Sequence, residues 1–149
     1  MIPSQALFDA MVNLLAADTA TLANTTANKV SLVVSNFVPA RGLDLGTLTL
    51  ASFNGSTALA AGTGTQQVFT DPISALKCIQ IKEPAGGWNW ICGATPSPAQ
   101  TVYGWVLTNG AIDELLGAGL LATPIPISLI GQGLSIDYVR TFFTSNSPF

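Results

Sequence analysis

Two cysteines, one adjacent pair of carboxylates and a cluster of aromatic rings are the residues of this chain whose types and spacing point to chemistry. Cys78 and Cys92 are the only cysteines. Lys77-Cys78-Ile79-Gln80-Ile81-Lys82 and Trp88-Asn89-Trp90-Ile91-Cys92 flank Glu83-Pro84-Ala85-Gly86-Gly87, a run rich in turn formers. That spacing predicts a hairpin. With Lys82 facing Trp88, the register sets Ile79 against Ile91 and Cys78 against Cys92. Directly opposed residues have Cα atoms about 4.5–5.5 Å apart, within the span of a disulfide. Closing the intervening loop would contribute about 3 kcal/mol on the entropic model. The alternative is two reduced thiols packed as small apolar groups, as expected in a reducing compartment. Two cysteines without histidine offer too few ligands for zinc, so no metal and no cofactor is expected.

Acid–base chemistry has little to work with. The chain has no histidine, which removes Ser-His-Asp and Cys-His arrangements. Asp113 and Glu114 are sequence neighbours, and neighbours in an extended segment point to opposite faces, a poor geometry for paired carboxylates. Gly62-Thr63-Gly64 lacks the Gly-Lys-Ser or dinucleotide pattern that would make it a phosphate cradle. Trp88, Trp90, Tyr103 and Trp105 admit a platform for sugar rings. The competing reading is core packing, which Tyr103 and Trp105 favour because they share a face of a central strand. The expectation is a protein that is not an enzyme.

The elements that carry these residues are mostly strands. Ser4 can cap a short helix whose Leu7, Phe8, Met11, Leu14 and Leu15 form one apolar stripe ending near Ala17. Residues 1–28 read as this helix and a polar link, and 29–149 as a single β unit. From Lys29 the period is alternating, with Gly or Pro at regular intervals. Val30, Leu32 and Val34 oppose Ser31 and Ser35. Leu48 and Leu50 alternate with Thr47 and Thr49, after a loop at Pro39-Ala40-Arg41-Gly42. Thr101–Thr108 is apolar on both faces, as in a strand between two layers. Pro124 and Pro126 cannot donate ladder bonds and assign their strand to an edge. Gly131-Gln132-Gly133 turns the chain into a returning strand, Leu134–Phe143, and Ala58–Thr65 reads as a mobile loop. The fold expected is mainly β: an antiparallel sandwich or small barrel of about seven to nine strands, with a short N-terminal amphipathic helix.

Composition narrows the partners. Of 149 residues, five are basic and eight acidic, 9% charged in all, against about 25% in an ordinary soluble domain. A monomer of this mass exposes about 7,000 Å², so the sequence predicts roughly one charge per 550 Å². Five scattered cations give no footprint for nucleic acid. The apolar stretch from Ala111 to Ile130 is broken by Asp113, Glu114, Pro124 and Pro126, so no membrane span is expected, and the first residues lack the basic region of a signal peptide. A surface so poor in charge is either hydrated by the 27 Ser and Thr residues or, the favoured reading, covered in part by partners or by further copies of the chain.

Several segments together resemble a group of short, mostly uncharacterised proteins of tailed phages. They are Leu14–Ala23, Asn36-Phe37-Val38-Pro39, Gly46–Gly55, Pro84-Ala85-Gly86-Gly87-Trp88, Thr101–Thr108 and Leu115-Leu116-Gly117. They occur in the same order and cover most of the chain, although that group usually carries acidic residues where Asn109 and Gln132 stand here. The resemblance implies a virion-associated structural protein: a capsid decoration or head-associated protein, assembled in the host cytoplasm, binding capsid or other virion proteins and forming a homo-oligomer or high-copy assembly. The helix stripe, with Trp88 and Trp90, is the candidate interface. The alternative is a tail or fibre-associated module that recognises host-surface glycans through Trp88 and Trp90.

Overall fold

A computed structural model describes the backbone of residues 28–39, 43–61, 65–70, 77–82, 87–109 and 114–142. The expected N-terminal helix, with Leu7, Phe8, Met11, Leu14 and Leu15, lies outside the described residues, as do Ala40-Arg41-Gly42 and Asp113. The described chain is mainly β, with antiparallel sheets and one short 3-10 turn, and no closed barrel forms among the described residues. The strands are β1 (Asn28–Val33), β2 (Leu59–Ala60), β3 (Thr65–Thr70), β4 (Lys77–Lys82), β5 (Trp88–Ile91), β6 (Gln100–Asn109), β7 (Glu114–Ile127), β8 (Gly133–Ile136) and β9 (Tyr138–Phe142).

The largest sheet has the order β2-β1-β6-β7. β6 is its long inner strand, paired with β1 from Asn109 to Gly104 and with β7 along nearly its whole length. The run that is apolar on both faces thus holds the inner position expected of it. Val102, Trp105 and Leu107 enter one core and Val106 enters a second, smaller one with Val33 and Phe37. Strict alternation would put Val102 with Val106, but the register shifts between Val102 and Gly104, where Tyr103 alone stands against four residues of β7. Such an irregularity turns the strand about its axis, and Val102 crosses to the face of Trp105.

Pro124 and Pro126 lie on β7, at the edge of this sheet, where a missing N–H costs no ladder bond. Two glycines let β6 and β7 approach. A Cβ on Gly104 would stand 2.2 Å from the carbonyl oxygen of Gly119, and one on Gly119 would stand 2.5 Å from Cζ2 of Trp105. The Trp105 ring therefore occupies the space a side chain at position 119 would need.

Against this sheet packs the pair β5-β8. Trp88, Trp90, Leu134 and Ile136 share a buried cluster with Val30, Leu32, Val102, Trp105 and Leu107. The hairpin expected across residues 83–87 does not form. β4 pairs with β3 and β9, β5 pairs with β8, and all are antiparallel. β4 and β5 therefore run in the same direction along one returning segment, with five residues between Lys82 and Trp88 standing against the single Asp137 between Ile136 and Tyr138. Loop length and turn-forming composition suggested reversal; instead β4 and β5 pair with consecutive parts of the same segment. The return itself is as expected, with Gly131 at φ 84° turning the chain after β7, although Asp137 divides it into β8 and β9.

Two further expectations are corrected. Leu45–Thr47 forms the 3-10 turn and not the start of a strand, because the Asp44 side chain accepts from the Gly46 N–H at 2.9 Å and holds the chain in a local turn. Only Leu50 bridges to Val33. Ala58–Thr65 is not wholly a loop: Leu59 and Ala60 form β2, and Ala61 is fully buried with its N–H bonded to the Asn28 carbonyl at 2.7 Å.

Candidate functional site

The free edge of β1 is covered twice by the same stretch of chain. The Val34 N–H donates to the Thr49 carbonyl and the Ala51 N–H to the Leu32 carbonyl, and then β2 pairs with Lys29 and Val30. Between these attachments the chain swings out through Ser52–Ala58. A tight turn closes it: the Ser56 N–H donates to the Phe53 carbonyl at 2.9 Å with Gly55 at φ 93°, a left-handed position that favours glycine. The excursion bounds an open cleft of about 520 Å³ whose walls include Ser31, Leu50, Ser52, Asn54, Ser56 and Thr57. No charged side chain is among the described residues that line it. Its hydroxyl, amide and carbonyl groups can hydrogen-bond a neutral polar partner.

The two tryptophans brace this excursion and the β2 strand that ends it from the inside. The Trp88 indole N–H donates to the Ala60 carbonyl at 3.1 Å and that of Trp90 to the Thr57 carbonyl at 3.0 Å. They are 3% and 1% exposed. Neither can offer a ring face to a sugar or a protein partner, so their assignment to a platform or outward interface is corrected. Trp88, Trp90 and Cys92 do share one face, as alternation predicts, but that face is the core. A buried indole needs an acceptor for its N–H; the excursion supplies one to Trp90 and β2 supplies one to Trp88. Trp105 is also core, at 8% exposed, whereas Tyr103 is half-buried.

The expected cysteine pairing loses its geometry with the hairpin. Cys78 stands opposite Phe142, whereas the Cys92 N–H donates to the Gln132 carbonyl, ten residues earlier on the returning segment. At about 3.3 Å per residue, ten residues of extended chain separate the two positions by roughly 33 Å. A disulfide tolerates no more than about 7 Å between Cα atoms. Cys92 is a free, buried thiol that donates to the Ala94 carbonyl at 2.9 Å. The side chain of Cys78 is outside the described set. Lys82 faces Tyr138 and Thr65 in the ladders, and not Trp88.

Where the tryptophans turn inward, their strand neighbours turn out. Ile91 is 64% exposed, and Leu129 and Ile130 are 58% and 64% exposed. The turn bearing Leu129 and Ile130 is tied to the end of β5, with the Gly131 N–H on the Cys92 carbonyl at 2.8 Å and the Gln132 side chain accepting from Ser128 and Leu129. These three aliphatic side chains are the outward apolar residues at this end of the fold. Sequence reasoning passed over them because it spent Ile91 on a cross-strand pair with Ile79. The alternation with Trp88 and Trp90 was the signal that would have placed it outside.

No family model matches this chain, and no match was found among the curated proteins or the solved structures.

Proposed function

We propose that the chain is a non-enzymatic structural protein of a tailed-phage particle, most simply a capsid decoration or head-associated protein whose two β layers form a sandwich docked on its neighbours. The observation that carries this reading is the pairing of a charge-poor surface with outward aliphatic side chains held on rigid backbone. Only 13 charged side chains serve 8551 Å² of accessible surface, about 660 Å² for each. Residues 45–70, 84–112 and 115–136 contain none. Within those runs stand Ile91, Leu129 and Ile130, fixed by the hydrogen-bonded turn at the end of β5.

Contacts of this kind hold by burial. At about 25 cal/mol per Å² of apolar surface, a few hundred Å² per neighbour supplies several kcal/mol before association costs, and a symmetric array repeats it. The phage-like segments support the same reading. Burial of Trp88 and Trp90 removes the ring platform on which the glycan-binding alternative depends.

The test is a mass-spectrometric inventory of purified particles together with an electron-microscopy map. The expected result is this chain at high copy on the particle, with Ile91, Leu129 or Ile130 at a contact. Its absence from intact particles, or failure of the purified protein to bind particles lacking it, refutes the proposal.

A further inference from the structure

Among the described residues, the outer edge of β7 is an open ladder. β7 ends the β2-β1-β6-β7 sheet, and β9, which approaches it, does not pair with it. The direction of each backbone group follows from the bonds on the far side of the sheet. Asn28 and Leu32 present their carbonyls, and Val34 its N–H, to the stretch that covers the free edge of β1. The odd-numbered residues of β1 therefore bond to β6. Lys29, Ser31 and Val33 stand opposite Thr108, Val106 and Gly104, so the odd-numbered residues of β6 turn toward β7. Trp105 and Leu107 stand opposite Gly119 and Gly117. Gly117 and Gly119 thus spend their backbone groups inward, and Ala118 and Leu120 point theirs out of the sheet.

The sequence along this edge reads the same in both directions: Leu115-Leu116-Gly117-Ala118-Gly119-Leu120-Leu121. An antiparallel pair of identical strands related by a two-fold axis must place residues at equal distances from the axis opposite one another. With the axis at Ala118, Gly119 meets Gly117 of the second copy and Leu120 meets Leu116, the extra residue where β7 shifts register against β6. Ala118 faces Ala118 of that copy, with each donating to the other. Glu114 falls opposite Ala122, so no like charges meet, and the prolines at 124 and 126 lie beyond the paired stretch. Sheet edges of soluble proteins are commonly blunted by charge, by proline or by cover. The stretch from Leu115 to Thr123 carries neither charge nor proline, and Leu120 is 47% exposed.

We infer that β7 pairs with β7 of a second copy, centred on Ala118, joining two four-stranded sheets into one eight-stranded sheet across a two-fold axis. This seam does not depend on the particle reading above, because it forms between free copies in solution.

The experiment uses the full-length chain and two variants. Ala118→Cys puts the new thiols on directly opposed residues of a hydrogen-bonded pair, where Cα atoms lie about 5.5 Å apart, within disulfide range. Under mild oxidation the expected product is a dimer whose cross-linked peptide, identified by mass spectrometry, joins position 118 to position 118. Leu120→Pro removes an outward N–H while sparing the bonds to β6. It is expected to weaken self-association measured by sedimentation by about tenfold or more, with the far-ultraviolet circular dichroism unchanged. Leu120→Lys serves the same purpose should the proline variant misfold. A wild-type chain that stays monomeric at high micromolar concentration overturns the inference, as does a dimer that Ala118→Cys fails to cross-link symmetrically. Either result leaves the particle reading standing, because binding to particles is measured separately.

Discussion

Replacing Gly119 by alanine tests whether the contact between β6 and β7 is built as described. Gly119 is not in a left-handed conformation, and at such a position alanine ordinarily stabilises by about 0.4–1 kcal/mol through the unfolded chain. Here the sign reverses. The added Cβ would lie 2.5 Å from Cζ2, 2.6 Å from Cε2 and 2.8 Å from Nε1 of Trp105, whereas relaxed carbon contacts lie at about 3.5–4.0 Å. Relief requires the ring or the strand to move by about 1 Å, and the ring sits at 8% exposure among Leu32, Val102 and Leu107 of the main core. Overpacking of this kind costs about 1–3 kcal/mol. At about 2–4 °C per kcal/mol for a chain near this length, Tm should fall by roughly 3–10 °C.

The assay is urea unfolding of Gly119→Ala, Trp105→Leu and the double variant, each followed by circular dichroism. Trp105→Leu alone destabilises by vacating the core, but it also makes room for the new methyl, so the double variant should be less unstable than the sum by about 1 kcal/mol or more. If Gly119→Ala costs nothing, or the two changes add, then the ring does not lie over the glycine and the β6–β7 geometry is wrong.

Trp90→Phe should lose the bond to the Thr57 carbonyl and part of the ring's packing, about 2–3 kcal/mol together, read from the same denaturation curves. Native tryptophan fluorescence should be blue-shifted and resist acrylamide, since all three rings are buried; quenching as strong as in the unfolded chain would contradict this. Thiol titration after denaturation without reductant should find two reactive groups per chain, and a value of zero with a monomeric mass would restore the intramolecular bridge. Exchanging Ile91 and Ile130 together for serine should leave Tm within a few degrees, because exposed side chains contribute little to stability, while reducing attachment to particles; unchanged attachment would remove these residues from the contact.

What the sequence made legible was face and period; what it concealed was partnership. The inner position of β6 follows from its two apolar faces, and the edge position of β7 follows from its prolines. Both are local consequences of side-chain burial and missing N–H groups. The common face of Trp88, Trp90 and Cys92 was legible for the same reason, but its direction was not, because alternation separates two faces without saying which is covered. The hairpin expected across residues 83–87 failed because pairing depends on distant chain: the returning segment outcompeted the local reversal by offering β4 and β5 a common partner. Leu48 and Leu50 misled in a similar way, since the Asp44 side chain caps a turn by accepting from the Gly46 N–H, a bond that no apolar pattern records. The cleft arises from an excursion that is pinned, together with the β2 strand after it, by two indole N–H groups some thirty residues away in sequence, a relation that no local window contains.

Between Leu50 and Leu59 along β1, and again between Leu120 and Ile125 along β6, the chain steps off a ladder and returns to it. In each case the pairing before and after the detour is with one continuous partner. The length of the detour is therefore uncoupled from the register of the ladder, and residues can be gained or lost at its exposed positions while Phe53, Leu121 and the Thr57 carbonyl keep their places against the core. A lineage under pressure to change what its surface meets could rewrite the exposed positions of these stretches, and a protein engineer could splice foreign peptides into them, while the scaffold beneath keeps its pattern.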